Sequence, residues 1–255
     1  MNDSDDSHSG VVVTIENAIS TIRFNRIEKK NAITREMYLA MATALSEGDQ
    51  NDSVRVHLFL GGYGVFSAGN DLGDFIGHDL TGAGLGNEVL SFLRALVTAE
   101  KSIVAAVDGP AIGIGTTLLM HCDYVLATPR SYFQTPFVDL GLVPEAGSSL
   151  VAPRLFGPQR AFSLLAMGQR WGAEEAMNAG LVNKIVDEQN IQSATLEVVA
   201  ILAQKPQQAL STTRRLLRGD TAEILSRIEE EAGHFSRHLA SEEAQAAISV
   251  FMNRG

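Results

Sequence analysis

The chain has 255 residues, 45% of them hydrophobic and 20% charged, with a formal net charge of −10 and a single cysteine. An acidic balance of this kind argues against nucleic acid and anionic membranes as partners, while leaving room for an anionic ligand held by a few local cations. The lone Cys122 excludes an intramolecular disulfide, and no apolar run is long enough for a membrane-spanning helix.

Residues 1–10, M-N-D-S-D-D-S-H-S-G, are polar and acidic and read as a disordered tail. They lack the basic and apolar regions of a signal peptide, so the expected location is cytoplasmic. Two apolar or β-branched runs, 11–15 and 20–24, predict a hairpin. Thr34 then caps a helical pattern through Met37, Leu39, Met41 and Leu45. A strand is expected over 54–60, ending at Gly61-Gly62, and a short helix start over 70–75. The Gly-rich stretch 77–86 is read as mobile, and a helix over 87–99 follows it. The continuous apolar run 103–107 suits a strand buried on both faces. Asp108-Gly109-Pro110 ends that strand, a buried helix is expected over 113–121, and another strand over 124–127.

From Ala146 onward the pattern is almost wholly helical, apart from a short strand at 182–186. Helices are expected over 206–217, 221–239 and 242–251, each with enough apolar residues to need a partner surface. Strands alternating with helices imply an α/β core with a mainly parallel sheet, over 1–195, followed by a helical region over 196–255.

Three segments carry candidate chemistry. Phe66-Ser67-Ala68-Gly69-Asn70-Asp71-Leu72 follows a strand and a glycine turn. Its small residues allow close backbone approach to a ligand, and Asn70 and Asp71 suit a helix cap. Alone, it reads as an ordinary capped turn. The run from Gly109 to Leu118 again joins a strand to a helix. It is neither a dinucleotide fingerprint nor a phosphate loop, since Leu118 stands at the third glycine position and no Gly-Lys-Ser/Thr follows. Alone, it reads equally as a packing turn or as a source of a free N–H. The third segment, F-Q-T-P-F-V-D-L-G-L-V-P-E-A-G-S-S over 133–149, holds Glu145 where loop becomes helix. An apolar site would raise the pKa of Glu145 and a helix N-terminus would lower it, and the sequence leaves that balance open. Two donors aimed at one oxygen, with one acid nearby, suit enolate chemistry on a carbonyl compound.

Other polar residues read as structural. His57, His78 and His121 lack metal-ligand spacing with one another or with Cys122, so no metal site is expected. His121 reads as a satisfied interior residue, Cys122 as an inert buried thiol, and Asp71 as a helix cap. Ser148 and Ser149 lack a nucleophile elbow. Asp139, six positions before Glu145, is the alternative acid.

Taken together and in this order, I-R-F-N-R-I-E-K-K-N-A-I at 22–33, F-S-A-G-N-D-L, G-P-A-I-G-I-G-T-T-L-L-M-H-C-D and the Glu145 segment resemble the enoyl-CoA hydratase/isomerase (crotonase) superfamily. The resemblance covers nearly the whole chain. It implies a crotonase-like spiral of ββα units, an acyl-CoA thioester ligand, no separate cofactor, and assembly as a homotrimer or dimer of trimers through the C-terminal helices. Hydratases of the family carry two glutamates where this chain has Thr117 and Phe137, which cannot share acid–base work at neutral pH. The pattern T-P-F-x-x-L-G-x-x-P-E-x-x-S-S instead resembles Δ3,Δ2-enoyl-CoA isomerases of the peroxisomal type, whose corresponding glutamate is the base. The resemblance therefore implies Glu145 as base and the N–H groups of Ala68 and Ile114 as the oxyanion hole. It further implies a substrate site drawn from Lys30, Ala32, Ser67, Ala68, Gly69, Asn70, Asp71, Leu72, Gly113, Ile114, Phe137 and Leu142. Lys29 and Lys30, and Arg214, Arg215 and Arg218 on a tail helix, are candidates for the CoA phosphates as a cluster, although each alone reads as solvated surface charge. The expected role is in fatty-acid β-oxidation. Hydration or another CoA-thioester reaction, and non-catalytic acyl-CoA binding, stay open as alternatives.

Overall fold

The computed structural model describes residues 10–62, 64–73 and 85–252. The acidic tail over 1–9, His78 and nearly all of the Gly-rich stretch lie outside them.

The hairpin forms as β1 (Val11–Glu16) and β2 (Ile19–Phe24), turning through Asn17 and Ala18, both at positive φ. Thr34 caps α1 (Arg35–Gln50), its side-chain oxygen accepting from Met37 N–H at 3.3 Å. The chain then enters β3 (Val56–Leu60), α2 (Asn87–Thr98) and β4 (Ser102–Val107). Every residue of β4 is buried, as its apolar run requires of a strand covered on both faces.

After β4 the structure departs from the expected single helix. Pro110–Ile112 forms a strand, β5, and the following segment divides into one α-turn, α3 (Ile114–Thr117), and a 3-10 turn, Leu118–His121. Strands β6 (Tyr124–Ala127) and β7 (Tyr132–Gln134) precede a 3-10 turn at Val138–Leu140. Beyond Glu145 come α4 (Ser148–Phe156), α5 (Pro158–Leu165), the short β8 (Trp171–Gly172), α6 (Ala173–Ala179) and β9 (Lys184–Ile185). The tail comprises α7 (Ile191–Ala203), α8 (Gln207–Arg218), α9 (Thr221–Leu239) and α10 (Glu242–Met252).

The main sheet has the order β1-β2-β3-β4-β6-β9, antiparallel only at the hairpin. One face packs on α1 and α2, where Phe59 meets Phe92 with ring centroids 6.3 Å apart and Phe92 meets Tyr38 at 5.5 Å. Ile19, Val56, Leu58, Val104 and Leu126 point the other way and are covered by Ala194 and Val199 of α7. A second sheet, β5-β7-β8, stands beside the first. The tail folds back on its own body: Ile224, Ile228 and Phe235 of α9 and Ala244 and Ile248 of α10 are buried in the main core.

Candidate active site

The two strand-to-helix turns lie side by side. Ser67 and Ala111 form a parallel bridge, in which Ser67 N–H donates to Pro110 O at 3.0 Å and Ile112 N–H to Ser67 O at 2.9 Å. Contact is close at Gly115, where an added Cβ would meet Ser67 Cβ at 3.0 Å and would have to push it aside. Ile114 opens α3, and its N–H enters no hydrogen bond among the described residues, as befits the first N–H of a helix. Ala68 differs. Its N–H donates to the carbonyl of Lys30 at 3.0 Å, so this expected oxyanion donor is engaged. Lys30 and Asn31 are both in the left-handed region (φ 52 and 54), which turns the Lys30 carbonyl toward the Ala68 turn.

The other expected ligand residues sort by position. Lys30 and Ala68 line a cavity of about 840 Å³ with Pro110, Ile112, Gln134 and Phe251. Gly113, beside Ile114, is buried, as are Phe137 and Leu142 in the core, while Ala32 is half-buried beneath the Lys30 turn. Several residues of the 67–72 segment build the turn itself. Ser67 is fully buried, its hydroxyl donating to Asn31 O at 2.8 Å and accepting from Gly69 N–H at 3.1 Å. Asn70 Oδ1 accepts from the Tyr38 hydroxyl at 2.5 Å. Asp71 accepts from Gly73 N–H at 3.0 Å, the expected cap, and also pairs with Arg26 at 2.6 Å. Leu72 packs against the core.

Glu145 is completely buried. Its Oε1 accepts from the Thr117 hydroxyl at 2.5 Å, and its Oε2 has no hydrogen-bond partner. Burial pushes its pKa up to about 8; the Thr117 bond opposes that rise and the nearby Glu231 charge adds to it. The balance left open by the sequence is thus decided in favour of burial, for a visible reason. The helix N-terminus after Glu145 is already occupied: Glu231 of α9 accepts from Gly147 N–H at 2.6 Å and Ser149 N–H at 2.9 Å. The Tyr38 phenol, held above its ordinary range by burial and then by the Glu145 charge, is a further neighbour. Ala146 and Gly147, at φ 62 and 68, form the turn into α4. A non-glycine residue in this conformation costs about 1–2 kcal/mol, so the turn is over-determined by its surroundings.

Sequence reasoning took Thr117 only as an absent acid and His121 only as a filled interior position, and it passed over Tyr38 and Glu231. Glu231 did leave a signal. It sits among Ile224, Ile228, Ala232 and Phe235, an acid on the apolar face of a helix.

None of the three tail arginines is among the described residues that line the Lys30 cavity. Arg214 is buried, its Nε donating to Asp123 at 2.6 Å and its Nη1 to Ala99 O. Arg218 pairs with Asp123 at 3.5 Å and donates to Val97 O and His121 O. Arg215 is exposed, as are Lys29 and Asp139. Burial pushes the Cys122 thiol well up, so it is not a nucleophile. Buried His57 faces Asp49 at 3.0 Å. Among the described residues, no three of His, Cys, Asp and Glu converge as a metal ion would need, and no helix is long and apolar enough to cross a membrane.

Comparison with known proteins matches residues 14–255 to the family described as enoyl-CoA hydratase/isomerase. The chain is 36% identical to enoyl-CoA delta isomerase 2 of Rattus norvegicus, over 96% of its own length and 64% of the rat protein's. The Homo sapiens protein of that name is 34% identical, with 63% of its length covered, so the chain spans just under two thirds of these two relatives. Enoyl-CoA delta isomerase 3, peroxisomal, of Mus musculus is 31% identical, over 96% of this chain and 78% of that one. Among solved structures, an enoyl-CoA hydratase/isomerase from Pseudoalteromonas atlantica T6c superposes with a TM-score of 0.90 at 35% identity, covering 96% and 97% of the two chains. An enoyl-CoA hydratase from Bacillus halodurans does so with a TM-score of 0.87 at 25% identity, covering 95% and 100%. The fold is thus common to proteins named for different reactions, and the choice among reactions falls to the site. By the match over nearly its whole length and the crotonase fold of its relatives, the chain belongs to the enoyl-CoA hydratase/isomerase family.

Proposed function

We propose that the protein is a Δ3,Δ2-enoyl-CoA isomerase, moving the double bond of a 3-enoyl-CoA to give trans-2-enoyl-CoA. One observation carries this reading: a fully buried carboxyl, Glu145, with an unpartnered oxygen, where Thr117 and Phe137 occupy the positions of a hydratase's acids. One acid that can reach two carbons suffices for a proton shift, whereas hydration needs one group to activate water and another to protonate carbon.

In the proposed mechanism the thioester oxygen lies against the N–H groups of Ile114 and Ala68. Ile114 N–H is free to receive it, and Ala68 N–H exchanges the Lys30 carbonyl for it on binding. Glu145, in its carboxylate form, takes a proton from C2. Charge in the resulting dienolate rests on the oxygen between the two donors, an arrangement in which a single donor is worth about 3–4 kcal/mol. The same carboxyl then delivers the proton to C4. With a pKa of about 8, Glu145 becomes more basic in form as pH rises, so kcat/KM climbs with pH and levels off above that value. The cavity between Lys30 and Phe251 is the proposed approach for the CoA moiety. Trimeric assembly belongs to the same proposal, and exposed Leu216 and Leu217 on α8 are consistent with it. So does a place in fatty-acid β-oxidation.

The test is turnover. A 3-enoyl-CoA incubated with the protein should develop conjugated enoyl-thioester absorbance, while a 2-enoyl-CoA should not be hydrated at a comparable rate. Robust hydration without isomerisation would sink the proposal, and binding without either reaction would make the chain an acyl-CoA binder.

A further inference from the structure

The peptide unit joining Ala146 to Gly147 is held at both ends by buried ionisable side chains from elements far apart in sequence. His121, at the end of the 3-10 turn after α3, donates from Nε2 to the Ala146 carbonyl at 2.7 Å. Glu231, on α9, accepts from Gly147 N–H at 2.6 Å. Both side chains are about 95% inaccessible to solvent, at 5% relative exposure each. This peptide lies one residue beyond Glu145 and links two residues in the left-handed region. Rotating it would redirect the backbone from which the Glu145 side chain springs. Space is limited there too, since a Cβ on Gly147 would come within 3.0 Å of Ile224 Cγ2 on α9.

We infer that His121 and Glu231 are positioning residues for Glu145, gripping the Ala146–Gly147 peptide from opposite ends to fix the direction of the Glu145 carboxyl. This rests on the isomerase reading for its consequence in turnover, though not for its geometry. A carbonyl acceptor requires a proton on His121 Nε2. Burial, with Arg218 and Arg214 nearby, holds the ring's pKa down at about 4, so at neutral pH it is an uncharged donor. The two ends therefore differ: His121 contributes a bond, and Glu231 contributes two bonds and a charge. Thr117 and Glu231 are the groups that act on Glu145 directly, and Tyr38 in turn feels the Glu145 charge. Arg227, Glu230 and His234 line the cleft beside Glu231.

Four variants and a double variant test this: Glu231→Ala, Glu231→Gln, His121→Ala, His121→Gln, and Glu231→Ala with His121→Ala. Turnover of 3-enoyl-CoA, affinity for an unreactive saturated acyl-CoA, and the 13C-carboxyl NMR titration of Glu145, assigned with Glu145→Gln, are measured on each. Misaiming a reacting group by an ångström costs up to about a hundredfold, so Glu231→Ala should lose at least about tenfold in kcat with saturated acyl-CoA affinity nearly unchanged. Glu231→Gln keeps an oxygen acceptor and should recover most of kcat, while its Glu145 midpoint moves to lower pH because a neighbouring negative charge has gone. Because both residues hold one peptide, the double variant should lose less than the product of the single losses. Parent-like kcat in both alanine variants would overturn the inference, as would equal loss in Glu231→Gln and Glu231→Ala. If the parent itself does not isomerise, the functional reading fails and the carboxyl titration decides alone: a Glu145 midpoint unmoved in both Glu231→Gln and His121→Ala overturns the clamp.

Discussion

Glu145 and Asp123 are two acids with opposite surroundings, Glu145 completely buried and Asp123 at an exposed position of the chain. Asp123 is saturated. It accepts Ile103 N–H at 2.7 Å and Arg214 Nε at 2.6 Å, and pairs with Arg218 at 3.5 Å. Glu145 is starved, with one neutral donor, one unpartnered oxygen and a second acid nearby. A carboxylate supplied with cations and N–H groups pins elements together, here α8 to β4 and the loop before β6. One denied them holds its proton longer and is a stronger base once it has lost it. In the proposed reading the protein keeps one acid for structure and the other, at a cost in stability, for chemistry.

Replacing each acid by its amide should separate the two roles. The largest effect is expected from Glu145→Gln, which should lower kcat by about a thousandfold, within the range for a lost general base, while acyl-CoA binding persists. The same variant should be more stable than the parent, and the sign follows from linkage. The folded pKa of about 8 lies above the model-compound value of 4.5, so between those limits the folded state holds a proton that the unfolded state releases. Parent stability contributed by this group is intact below about 4.5 and falls as pH rises to about 8, whereas the amide has no such loss. Melting curves at acid and alkaline pH should therefore diverge, with the variant ahead on the alkaline side; parallel curves would break the contrast. Asp123→Asn should do the reverse. Leaving buried Arg214 without its counter-charge should cost about 1–2 kcal/mol of stability, between the values for exposed and buried pairs, with kcat per folded molecule nearly unchanged. Loss of turnover without loss of stability would show that Asp123 is not the structural partner described.

Much of the scaffold was legible because its signals are local. The hairpin, the Thr34 cap and the wholly buried β4 follow from alternation, a capping residue and an apolar run. Strands β5, β7 and β8 were not legible: two or three residues long, they owe their form to pairing with one another rather than to any pattern of their own. In the same way the sequence placed Glu145 at a loop-to-helix boundary but left its pKa open. That depended on Glu231, contributed by α9 from the far end of the chain, reaching the helix N-terminus first. Arg214 and Arg218 share a helix face as their spacing indicates, yet the face turns inward to Asp123, which spacing alone does not reveal. The engaged Ala68 N–H is a comparable case, since it depends on the left-handed Lys30.

In the proposed reaction one buried carboxyl carries a proton from C2 to C4. A 3-enoyl-CoA deuterated at C2 tests it most directly, with the product read by mass spectrometry and NMR after single turnovers. Because Glu145 is fully inaccessible to solvent, the deuterium it removes should be returned before it exchanges, and the product should carry deuterium at C4. A product bearing only solvent hydrogen at C4 would mean that Glu145 does not carry the proton between the two carbons.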